Sequence, residues 1–136
     1  MALLWDLHEG DESALDRIEA NLVGSILVCP RLLDHIRPVG LTPRDFKRET
    51  VGRAFGGLLA FVQAHPPPAD RPGPLDPVAL AAYLEASGVR PSVRWPWLLI
   101  LSRLTDDPSM DEDNAAHYAR AIVEGAIRRT LDRKIP

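Results

Sequence analysis

The last quarter of the chain constrains its fold more than any other stretch. From Ser109 to Arg129 the residues Ala115, Ala119, Ile122, Val123, Ala126 and Ile127 recur at helical spacing and form one apolar stripe. Both ends carry helix signals. Ser109 or Asp111 stands where a cap accepts N–H bonds, and Asp111, Glu112 and Asp113 lie where the positive end of the helix dipole favours anions. Arg128, Arg129, Arg133 and Lys134 crowd the negative end. The stripe is made mostly of small residues, so a partner helix is expected to approach closely.

The upstream chain follows the same helical logic. Ser13 and Asp16 form an imperfect capping box, and Leu15, Ile18, Leu22, Ile26 and Cys29 then share one face as far as Pro30. Arg31–Ile36 predicts a short helix stopped before Pro38. Thr42-Pro43 is a cap followed by proline at a first helical position. The best amphipathic helix comes next, with Val51, Ala54, Phe55, Leu58, Leu59 and Val62 on one side. It contains Gly52, Gly56 and Gly57, each costing about 1 kcal/mol relative to alanine, a cost that implies close packing. Five prolines between His65 and Pro74 predict a surface loop. Asp76-Pro77 restarts a helix that Gly88 closes. Pro91 and Pro96 frame Trp97–Leu104, where Trp97–Leu101 also admits a strand. Thr105–Pro108 is so short a turn that the last two helices are expected to be antiparallel neighbours.

Length and composition limit what this fold can do. At 136 residues the chain can hold one domain with a real core, without room for a nucleotide-binding domain as well. It has no Gly-x-x-x-x-Gly-Lys-Ser/Thr loop, so no ATPase is assigned to it. A net charge of −3 is not the footprint of a nucleic-acid binder. The signs are segregated, however: the acids Asp6, Glu9, Asp11, Glu12, Asp16 and Glu19 face only Arg17 within the first twenty residues. His8, His35, His65 and His117 are scattered, and Asp113 with His117 makes at best half a metal site. No catalytic residue, cofactor or metal ligand is expected. The single cysteine, Cys29, excludes an internal disulfide and suits a reducing compartment. Unbroken apolar runs such as Trp97–Leu101 are too short to span a bilayer, and the N-terminus has no basic leader, so a cytoplasmic protein is expected.

Several short segments, in order, are similar to the N-terminal domain of DnaB-type replicative helicases. They are Glu19-Ala20-Asn21-Leu22-Val23-Gly24-Ser25-Ile26-Leu27, Asp45-Phe46, Arg53-Ala54-Phe55 and Leu75-Asp76-Pro77-Val78-Ala79-Leu80 with Leu84. Pro108-Ser109, Asn114, Tyr118-Ala119, Ile122-Val123 and a following arginine complete the pattern, which runs from about Ser13 to Leu131. Two features depart from it: Arg17 replaces a repeated Glu, and Arg94-Trp95-Pro96-Trp97 replaces a Gly-Gly-Tyr-like segment. The resemblance implies one all-α domain over residues 1–136, with a compact helical globule at 13–88 and a C-terminal antiparallel helical hairpin at 96–134. It also implies a non-catalytic role. In the family, hairpins of neighbouring subunits build a collar above the motor ring, and the collar docks primase. Self-association through the hairpin, docking of primase or a helicase loader, and contact with DNA only through a separate motor domain are the partners expected. Trp97, Leu101, Leu104, Tyr118, Ile122 and Ala126 are the candidate interface residues, with packing onto the chain's own core as the competing account. Two other functions stay open: the helicase-binding domain of a primase, and a standalone helical DNA-binding domain, which the acidic balance disfavours.

Overall fold

The computed structural model describes residues 14–66, 73–106 and 112–134. Six α-helices make up the described chain: α1 (Ala14–Val28), α2 (Leu32–Ile36), α3 (Glu49–Ala64), α4 (Pro77–Ala86), α5 (Trp97–Leu104) and α6 (Glu112–Lys134). Single 3₁₀ turns at Arg37–Val39 and Pro43–Asp45 join α2 to α3. No strand occurs among the described residues, and Trp97–Leu101, which periodicity alone left open, is helical. The expected caps at Ser13, Ser109 and Asp111 lie outside the described residues.

Local chemistry sets most boundaries. Asp76 caps α4 by accepting the Val78 N–H at 2.9 Å, with Pro77 at the first helical position. Gly88, at φ 75°, takes the left-handed conformation that lets the chain turn after α4. Thr42 and Asp45 form a capping box, but the box starts only the Pro43–Asp45 turn. The long helix α3 begins four residues after Asp45, with Arg48 at its N-cap position and no side-chain cap from that residue.

The core is apolar and continuous. Leu22, Val23 and Ile26 of α1 meet Val51, Ala54, Phe55 and Leu58 of α3, Leu80 and Leu84 of α4, Ile100 and Leu101 of α5, and Ala115, Ala119 and Ile122 of α6, all buried. Close helix approaches depend on glycine. A Cβ on Gly24 would stand 1.9 Å from the Leu104 carbonyl oxygen, so the end of α5 rests directly on the backbone of α1. A Cβ on Gly57 would stand 2.0 Å from a Leu84 methyl, which explains one of the costly glycines in α3.

The last two helices find different neighbours from those the short turn suggests. Among the described residues α5 packs chiefly on α4 and α1, whereas α6 packs on α1 and α2. The reason lies in the side chains. Ala115 and Ala119 let α6 settle onto the first two helices, and Gly24 draws the end of α5 onto the other side of the bundle. Helix α1 is the element the two share, and both belong to the same core as the globule.

Candidate functional site

Of the six residues expected at an interface, four serve the private core. Trp97, Leu101, Leu104 and Ile122 are buried within this chain. Trp97 also donates its indole N–H to the Val89 carbonyl at 2.7 Å, which satisfies its polar edge. Tyr118 is half-buried and meets His117 edge-on, with ring centroids 5.8 Å apart. Ala126 is half-buried, and its carbonyl accepts the Thr130 hydroxyl. In this fold a partner reaches Tyr118 and Ala126 but not the other four.

Val28, Val78 and Leu98 are exposed on three other helices, and on α6 the accessible apolar surface lies away from the expected set. Ile127 and Leu131 are 53% and 52% exposed, and half-buried Val123 continues their line toward the core. At about 100° per residue, Ile127 and Leu131 stand about 140° and 180° around the helix from Ile122. They therefore form a second face, opposite the Ala115–Ala119–Ile122 face. The sequence shows the i, i+4 spacing of Ile127 and Leu131, but reading all the apolar positions as one stripe merges two faces into one.

A polar node joins α1, the start of α3 and α6. Glu19 is fully buried, and its two carboxylate oxygens accept the backbone N–H groups of Lys47 at 2.7 Å and Arg48 at 3.1 Å. These donors precede the first turn of α3, so α1 supplies from a distance the cap that Arg48 lacks. Asp16, one turn earlier on α1, holds the Arg48 guanidinium through two bonds of 3.1 Å, with the Lys47 ammonium 3.6 Å away. From α6, Arg129 donates to the Asp45 carbonyl at 2.7 Å. Burial pushes the Glu19 carboxyl above the ordinary value of 4.5, while the Lys47 and Arg48 N–H groups and the Arg129 charge pull the other way. Each buried charge is thus matched, and the node acts as an anchor. No reacting group is offered.

The loop Val89–Pro96 is held to α3 by Thr50 Oγ1, which bonds the Ser92 hydroxyl and accepts the Ser92 N–H at 3.1 Å, and by Arg53, which donates to the Arg90 carbonyl at 2.7 Å. Beside it runs a groove of about 540 Å³ between the Pro43–Lys47 segment, α3 and α4. Gly52, Gly56 and Ala60 form its floor, Phe46, Tyr83 and Leu84 contribute apolar walls, and Arg44, Lys47 and Arg53 stand on its rim. Among the described residues no three His, Cys, Asp or Glu side chains gather as a metal site, and no helix is long and apolar enough to cross a membrane.

Among the described residues the fold is all-α, with six α-helices sharing one core. No protein-family model matches the sequence, and no curated protein sequence matches it. Among solved structures the chain is similar to the crystal structure of the N-terminal domain of DnaB helicase from Mycobacterium tuberculosis. The TM-score is 0.64 at 22% sequence identity, covering 85% of this chain and 76% of that one. The chain therefore has a DnaB N-terminal-domain-like fold.

Proposed function

We propose that this chain is a non-catalytic N-terminal domain of a replicative DNA helicase, acting in the cytoplasm in subunit association and in docking primase or another replisome partner. The observation that carries this reading is the fold similarity to the N-terminal domain of DnaB helicase over 85% of the chain. The absence of a phosphate-binding loop from the sequence agrees with it. Ile127 and Leu131 are the surface assigned to a second copy, since they are large, apolar and exposed on one face of α6. Each is already about half buried, so covering the rest would contribute about 1 kcal/mol, too little for tight dimers of the isolated domain but enough once a ring adds avidity.

Sedimentation of the chain at rising concentration tests the association. Dimers or larger species are expected, and Ile127→Asp should return them to monomer while circular dichroism stays helical. A wild type that remains monomeric at millimolar concentration would remove subunit association from the reading. Calorimetric titration with Mg-ATP should give no heat, and micromolar affinity would overturn the non-catalytic assignment.

A further inference from the structure

Nothing among the described residues fills the groove between α3, α4 and the Pro43–Lys47 segment. Its floor is kept low by Gly56, whose added Cβ would meet only the ring of Pro43, at 3.1 Å, and by exposed Ala60. Unlike Gly57, Gly56 answers to no neighbouring helix. The rim is basic on balance, with three bases to one acid: Arg44 carries no ion pair among the described residues, Lys47 is 3.6 Å from Asp16, and Arg53 is paired with Glu49, which also lines the groove. An occupant with a compact apolar side and acidic flanks fits such a groove.

The chain itself carries such a segment. Leu3, Leu4, Trp5 and Leu7 are interleaved with and followed by Asp6, Glu9, Asp11 and Glu12. The segment leads directly into α1, and Asp16 in the first turn of α1 touches Lys47, a rim residue of the groove. A dozen residues at up to about 3.3 Å each reach well beyond the length of a groove bounded by two turns of α3. We propose that the groove is the seat of the chain's own N-terminal segment, with Leu3, Leu4, Trp5 and Leu7 on the Gly56–Ala60 floor and the acids facing Arg44 and Lys47. The inference is independent of the helicase reading, because it rests on the groove and on the charge of the segment.

The test uses the full chain labelled with 5-fluorotryptophan, whose three residues, Trp5, Trp95 and Trp97, are assigned by single Trp→Phe variants. A soluble nitroxide quencher then reports which rings solvent reaches. Trp5 should be broadened several-fold less than free fluorotryptophan, and Ala60→Glu should make it fully accessible. The buried Trp97 resonance should stay unchanged and thereby show that the variant folds. Arg44→Glu should release Trp5 in the same way, and Asp6→Lys with Glu9→Lys in that background should restore protection. Trp5 fully accessible in the wild type would overturn the proposal. So would protection that Ala60→Glu and Arg44→Glu both leave intact, because the segment would then sit elsewhere. Protection that disappears on dilution would also overturn it, since a second copy would then hold the segment.

Discussion

Helix α1 and the far half of α6 depart in opposite ways from the rule that charge faces water and hydrocarbon faces the core. Helix α1 buries two carboxylates, Asp16 and Glu19, in the middle of the bundle. Beyond Ile122, α6 leaves Ile127 and Leu131 half in solvent. The first departure is met by partners, because each buried carboxylate of α1 has a donor or a cation within bonding distance, even though burial still outweighs them at Glu19. The second has no compensation among the described residues. A compensated exception is structural and holds the fold together, whereas an uncompensated one marks a surface available to something else.

The sharpest contrast is along α6 itself. Ile122→Asp should destabilise the domain by about 4 kcal/mol or more, since it places a carboxylate in a site with no donors. Ile127→Asp, five residues on, should change stability by no more than about 0.5 kcal/mol. Urea denaturation of the two variants measures the difference. Equal losses would mean that the two faces of α6 are not distinct. In α1, Glu19→Ala should cost about 3 kcal/mol, because it opens a cavity and leaves two backbone donors buried without acceptors. If thermal unfolding shows a loss below about 1 kcal/mol, Glu19 is not the cap of α3.

The smallest effect is a slope with pH. The folded-state pKa of Glu19 lies above 4.5, so the folded chain binds a proton at Glu19 more tightly than the unfolded chain does. Between the raised folded value and 4.5 the unfolding free energy contributed by this group therefore increases as pH falls. Glu19→Gln should remove that contribution. From pH 7 to pH 4.5 the wild type should accordingly gain stability relative to Glu19→Gln, and parallel curves would contradict the burial argument.

The helices were legible because they are written locally. Asp76-Pro77 and Gly88 bound α4 with chemistry confined to a few residues, and the Val51–Leu58 spacing reports the buried face of α3. What escaped the sequence depends on distance. Thr42-Pro43 looks like the start of α3, but its capping box closes on a single turn. The true start is fixed by Glu19, whose hydrogen bonds span 28 and 29 residues. The covering of the candidate interface residues is distant in the same sense. Periodicity says that Trp97, Leu101, Leu104 and Ile122 are apolar and aligned, but whether this chain or another covers them depends on where α1 and α4 lie. Of the expected set, only Tyr118 and Ala126 remain within reach of a partner.

The contact between Gly24 and the Leu104 carbonyl turns the length of a helix into a property of its neighbour. Helix α5 ends with its last carbonyl against bare backbone, and no side chain intervenes to absorb a change of register. One residue inserted between Trp97 and Leu104 would rotate everything after it by about 100° and lift it by about 1.5 Å. The carbonyl would leave Gly24, and the chain leading to α6 would depart in another direction. Relatives that keep this fold should therefore vary freely in the composition of the exposed side of α5 and hardly at all in its residue count. The same insertion after Leu131 would meet no such stop.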